Sequence, residues 1–209
     1  MKSAEQVKNV LARFEPFQKS FFLQDTVEVA KGLIGSYLLH LSDGGVLAGR
    51  IVETEAYRQD DPASHSFRGL TRRNRHMFEA GGLAYVYFIY GMYNCFNVVT
   101  EPEGVGCAVL IRAMEPVCNP NLMWANRFPG KPVDPRAFRR LADGPGKLCL
   151  AMAITREHDG TSLFDGPLRI CRKTEGPGAV ISESARIGVK RAADLPWRFF
   201  DAASNSVSR

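Results

Sequence analysis

Two glutamates separated by a single residue, Glu53 and Glu55, lie in the stretch VETEAYRQDDPASHS, residues 52–66. The run is apolar enough to be a strand, so Glu53, Glu55 and Tyr57 share one face and Val52, Thr54 and Ala56 the other. Three readings follow. Carboxylates at i and i+2 stand ~7 Å apart along a strand, which suits an acid–base pair acting on a glycosidic bond. A strand ending at the rim of a cleft would instead let Glu55, beside Tyr57, hold or activate a water. The third reading is two solvated charges on an outer face. This stretch alone leaves all three open.

Residues further along bear on the choice. RGLTRRNR places Arg68, Arg72, Arg73 and Arg75 within eight residues, flanked by His65 and His76. Such a run is ordinarily a solvated face, but beside an aromatic hairpin it reads as a phosphate-contacting loop. Seven of the 21 aromatic residues fall between Phe78 and Phe96. Tyr85 and Tyr87 share a strand face, and YGMY sets Tyr90 and Tyr93 around a glycine turn. Buried tyrosines serve packing, whereas a tyrosine at an exposed hairpin tip can wedge between stacked bases. DGPGKL, residues 143–148, lacks the Ser/Thr that would follow Lys147 in a phosphate loop. It reads as a helix N-terminus whose amides could meet an anion, or as a plain turn.

Composition narrows the class. The chain has 209 residues, 45% hydrophobic and 23% charged, which suits one folded domain. A transmembrane run and a signal-type apolar segment are both missing from the sequence, so a cytoplasmic protein is expected, nucleoid-associated if bacterial. Five cysteines without C-x-x-C spacing suggest reduced, mostly buried thiols and no zinc ribbon. The net charge of +5 is compatible with a polyanionic partner, and arginine supplies 19 of the 27 cations.

The elements that must position these residues are legible in outline. SAEQVKNVLARF predicts an amphipathic helix with a Ser3/Gln6 capping box, and a second helix starts at Asp25 and stops near Gly35. SYLLHL, SDGG and VLAGRIVETEAY predict a hairpin. Residues 60–81 are a loop or short helix; LAYVYFIY and NCFNVVTE form a second hairpin, with GCAVLIRAME a strand beside it. NPNLMWANRF, DPRAFRRLA and GPGKLCLAMAI read as short helices, and LRICR, ARIGV and WRFF as short apolar pieces. Without βαβ alternation, the expected class is α+β: a single domain with a mainly antiparallel curved sheet and surrounding short helices.

Taken in order, GRIVETEAY, ASHS, RNRHMF, YVYFIYGMYNCFNVV, VLIRAMEP and GPGKLCLAMAI resemble the alkyladenine (3-methyladenine) DNA glycosylase family. The resemblance runs from FFLQDTVEVAKGLIGSYLL to PWRFF, nearly the whole chain. It implies a monofunctional purine DNA N-glycosylase of base excision repair, which flips alkylated or deaminated purines from duplex DNA and hydrolyses the N-glycosidic bond to leave an abasic site. No metal, cofactor or covalent lysine intermediate is implied, and the partner is double-stranded DNA.

By position in these motifs, Glu55 matches the general base and Arg112 the arginine that helps hold the nucleophilic water. Tyr57, His65 and Tyr87 match residues that sandwich the flipped base, Asn97 an asparagine at the pocket's selective edge, and Ile187 the backbone that closes the water site. Tyr90 matches the tyrosine inserted into the duplex. Arg68, Arg72, Arg73, Arg75 and Lys147 are the expected DNA contacts. His76 departs from the pattern, which has a small residue there. Residues 1–16 are expected to be a helical extension and 17–209 a single, monomeric glycosylase domain. The rival from another class is a non-catalytic duplex-binding module that recognises damaged DNA. A zinc base deaminase is excluded, since H-x-E and P-C-x-x-C are both missing from the sequence.

Overall fold

A computed structural model describes residues 4–42, 44–173 and 178–208. Among the described residues nine strands form one sheet, with every pairing antiparallel. They are β1 (Glu15–Pro16), β2 (Tyr37–Ser42), β3 (Gly45–Tyr57), β4 (Ala84–Ile89), β5 (Tyr93–Val99), β6 (Ala108–Cys118), β7 (Leu168–Arg172), β8 (Ile181–Ser184) and β9 (Arg198–Asp201). The order is β1-β7-β2-β3-β6-β5-β4, with β9 pairing β3 and β8. The sheet curls into a half-barrel, so the α+β expectation holds.

Helices α1 (Ala4–Leu11), α2 (Lys19–Phe22), α3 (Thr26–Gly32), α4 (Pro120–Arg127) and α5 (Pro145–Ala151) surround it. Ser3 lies outside the described residues, so its capping box cannot be placed. Asp25 does cap α3, accepting from the Val27 and Glu28 amides. DPRAFRRLA forms a 3-10 helix, Pro135–Arg140, rather than an α-helix, and ARIGV is a loop.

The alternation in the strands decides what goes where. Val86, Phe96, Val98, Val109 and Ile111 point to the face covered by α3, α4 and α5, joining Val29, Leu33, Met123, Leu148 and Met152 in the main core. Residues of opposite parity (Tyr85, Tyr87, Cys95, Asn97 and Leu110) face the other way. That second face carries the chemistry-bearing side chains.

β3 is buried on both faces, and this overturns the solvated reading of the glutamates: Glu53 and Glu55 are both 0% exposed. Two register shifts explain how charges are accommodated there. Ile51 pairs Met114 while Glu53 pairs Ala113, and Thr54 pairs Ile111. Val52 on β3 and Arg112 on β6 are therefore each an extra residue. Bulges of this kind re-aim a side chain, and the second turns Arg112 towards both carboxylates.

Candidate active site

The site is assembled as a row across the sheet. Register places Arg198 opposite Glu55, Glu55 opposite Leu110, Leu110 opposite Asn97, and Asn97 opposite Tyr85. Directly opposed residues in antiparallel strands share a face, so residues from five strands converge. Two positions along, Tyr57, Tyr87 and Cys95 extend the same surface. Together with His65, Tyr90, Tyr93, Arg112, Pro145, Gly146 and Ile187 they line a cleft of about 370 Å³. Glu55 lies immediately behind its wall.

Three donors hold Glu55. Oε2 accepts from the Tyr57 hydroxyl at 2.8 Å and from Arg112 Nη1 at 3.2 Å, and Oε1 accepts from the Ile187 amide at 2.7 Å. Glu53 is held still more completely. It accepts from Arg112 Nε (3.0 Å), Arg198 Nε (2.7 Å), the Ser208 amide (2.7 Å) and the Ser208 hydroxyl (2.8 Å). Two arginines thus balance two carboxylates, as buried ions require. Burial works against the Arg112 charge, but Glu55 and Glu53 outweigh it and hold its pKa above the ordinary arginine value.

Occupied by four donors, Glu53 is not free to act as an acid or base. The arrangement does not support the paired-carboxylate reading.

The aromatic wall is uncharged. The His65 ring meets Tyr87 edge-on with centroids 4.5 Å apart, and its Nδ1 lies 3.0 Å from the Tyr85 hydroxyl. Burial, then the nearby Arg73 charge, lowers the His65 pKa, which keeps the imidazole neutral at pH 7. Burial likewise raises Tyr57, Tyr85 (to about 12), Tyr87 and Cys95. Asn97 donates to the Tyr85 carbonyl at 3.0 Å, which fixes its amide at the cleft's floor.

Loops wall the cleft at two sides. Asn74, buried, pins residues 65–74 by donating to the His65 and Gly69 carbonyls and accepting from the Thr71 amide and hydroxyl. On the other side, Arg186 makes a two-pronged contact with Asp61, donates to the Ala56 carbonyl at 3.0 Å, and stacks over Tyr57 at 4.7 Å. This fastens the loop that brings the Ile187 amide to Glu55.

The expected DNA contacts separate into three groups. Tyr90 stands at the tip of the β4–β5 hairpin, 83% exposed, with φ of 54° followed by Gly91 at 66°. A non-glycine residue in the left-handed region is costly, and an exposed ring gains nothing there from packing. Arg68, Arg72 and Arg75 are exposed. Arg73 is exposed as well but lies over the Tyr87 ring at 5.9 Å, and Lys147 pairs with Asp143 at 2.8 Å. The seven-residue α5 begins where expected. Gly146 is required because a Cβ would sit 2.9 Å from Cγ of Tyr93. His76 fits because Gly160 has no side chain: a Cβ there would lie 2.5 Å from the imidazole.

Sequence reasoning missed Arg198, Ser208, Arg186, Asp61 and Asn74. Each is a polar residue in an unremarkable setting: strand register brings Arg198 to the site, while Asp61, Asn74, Arg186 and Ser208 reach it on loops. For Asn74 a signal existed: an asparagine between two arginines, Arg73 and Arg75, in a loop that needs fixing.

The family model described as Methylpurine-DNA glycosylase matches residues 20–205. The chain belongs to the methylpurine-DNA glycosylase family. Relatives in this family span nearly the same length. One from Methanoculleus marisnigri is 49% identical, covering 91% of this chain and 97% of its own. Another from Agrobacterium fabrum is 46% identical over 91% of each, and one from Bacillus cereus is 43% identical over 91% of this chain and 97% of its own. All three are provisionally named 3-methyladenine DNA glycosylase. Among the described residues no helix is long and apolar enough to cross a membrane, and no group of three or more His, Cys, Asp or Glu could hold a metal ion.

Proposed function

We propose that this protein is a monofunctional DNA glycosylase that removes alkylated and deaminated purines from duplex DNA, with Glu55 activating the hydrolytic water. The observation that carries the reading is Glu55 itself, buried behind a neutral aromatic cleft and bound by Arg112, Tyr57 and the Ile187 amide. A carboxylate offers about four acceptor directions; three are used, and the remaining one on Oε1 can accept a water proton.

A base inside a stack cannot reach such a site, so it must be extruded. Tyr90 fills the gap it leaves, and the flipped purine stacks among Tyr57, His65 and Tyr87, with Asn97 at its edge. Stacking supplies ~1–3 kcal/mol per base with little sequence preference. Water transfers a proton to Glu55 as its oxygen attacks C1′. The C1′–N9 bond breaks with its electron pair going to the purine, and an abasic site remains. The Glu55 charge also stabilises the oxocarbenium-like sugar. Arg112 holds the carboxylate in place.

Because Glu53 is tied to two arginines and no Asp or Glu among the described residues lines the cleft, the departing base has no second carboxyl beside it to protonate it. Purines alkylated at N3 or N7 are already cationic and need no such help. They should be released faster than hypoxanthine.

The deciding experiment incubates the protein with methylated and with hypoxanthine-containing duplex and identifies any released base. Release of the free purine without strand cleavage is expected, and excess EDTA should leave the rate unchanged. Salt-dependent binding without release would instead mean a damage-recognising binding module. Loss of activity in EDTA, restored by a divalent ion, would overturn the water-activation scheme.

A further inference from the structure

The segment after β9 reaches back into the carboxylate network, and we propose that Ser208 is a positioning residue for base release, its hydroxyl orienting the Arg112 guanidinium towards Glu55. This rests on the function proposed above. Arg112 presents three nitrogens to three partners: Nε to Glu53, Nη1 to Glu55 and Nη2 to Ser208 Oγ at 3.3 Å. The hydroxyl has one proton, which it donates to Glu53 Oε1 at 2.8 Å, leaving its lone pairs to accept from Arg112. Ser208 is thereby the third point that fixes the plane of the guanidinium. Two points alone would leave Arg112 free to pivot about the line joining the two carboxylates.

The segment is anchored independently of this contact. Asp201 accepts from the Val180 and Ala203 amides and pairs with Arg50, while the Ser204 hydroxyl donates to Glu115 at 2.6 Å. Arg50 also binds Glu115, so a second polar latch holds residues 201–206 about the far end of β3. Anchoring and orientation are therefore separable. Ser204 does the first and Ser208 the second.

Ser208→Ala keeps the amide that donates to Glu53 and removes only the hydroxyl. Misplacing a catalytic group by a fraction of an ångström to an ångström costs up to ~100-fold. Ser208→Ala should therefore slow single-turnover release of 3-methyladenine from methylated duplex by ~10-fold or more. Its affinity for an abasic-analogue duplex should match the wild type, and its melting temperature should fall no further than that of Ser204→Ala. Ser208→Thr, which retains the hydroxyl, should recover most of the rate. Ser204→Ala should lower the melting temperature and leave the single-turnover rate of the folded protein unchanged.

An unaltered rate in Ser208→Ala would overturn the proposal. So would a rate loss that tracks melting temperature across all three variants, since the segment would then be a structural strap alone. A wild-type protein that releases no base would instead overturn the functional reading beneath it.

Discussion

Glu53 and Glu55 differ by two positions and by what holds them. Glu55→Gln keeps size and removes the proposed proton acceptor, so base release should fall at least ~100-fold while damaged duplex is still bound. Glu53→Gln has a different expected phenotype. It leaves Arg112 and Arg198 buried with diminished compensation, and breaking such a group costs ~3–5 kcal/mol. A lowered denaturation midpoint should therefore accompany any loss of rate. If both variants lost rate alike at unchanged stability, the two carboxylates would be acting as a pair. From the sequence, the existence of the glutamate pair and its strand were legible. The roles were not separable, because the donors that occupy Glu53 come from residues 112, 198 and 208, which carry no local pattern pointing to it.

At the scale of elements, the hairpins and the Asp25 helix cap were readable because turn glycines, alternation and caps act locally. The bulge at Arg112 was not readable. A one-residue insertion at Arg112, with apolar AVLI before it and AM after it, leaves no break in a period of two, and its effect appears only against β3. The α5 start was visible in GPGKL, but its reason lies in Tyr93 across the cleft. Gly146→Ala should push that ring outwards and shift the base of the Tyr90 hairpin. Weakened binding to lesion-bearing duplex, with near-normal binding to intact duplex, is the expected result. Tyr90→Ala should act in the same direction, since its ring is proposed to offset unstacking that costs a few kcal/mol. Equal losses on both duplexes would make the hairpin tip structural only. Arg72 is the cleaner probe of phosphate contact. Its replacement by alanine should weaken binding to all duplexes and reduce the salt slope by about one, whereas Arg73 also packs on Tyr87 and mixes two effects.

For the whole molecule, mild acid should be destabilising through its buried histidines. His40 is held below the ordinary histidine value by burial, opposed by its bond to the Met152 carbonyl and reinforced by His158; His65 is held low by burial and Arg73. The unfolded chain therefore binds more protons than the native one as pH falls through about 6.5. Stability should drop through that value and level off below the two depressed native ones. Melting curves between about pH 7.5 and about pH 5 will test this. His40→Asn should shrink the loss, and a melting temperature that stayed level on acidification would refute the assignment.

The place of β9 in the sheet also imposes an order in time. Glu55 and Glu53 sit on β3 opposite Arg198 and Phe200, about 145 residues later in the chain. Contacts so distant close late, because the intervening loop entropy must be lost first. The aromatic hairpin and the arginine loop, by contrast, join residues that are near neighbours in sequence. During synthesis or refolding, the surface proposed to grip DNA can form before the carboxylates acquire their partners. Pulse-labelled hydrogen exchange during refolding should find the amides of β4 and β5 protected ahead of those in β9. A half-folded molecule would then be a binder of duplex DNA well before it could hydrolyse anything, so catalytic power would switch on last.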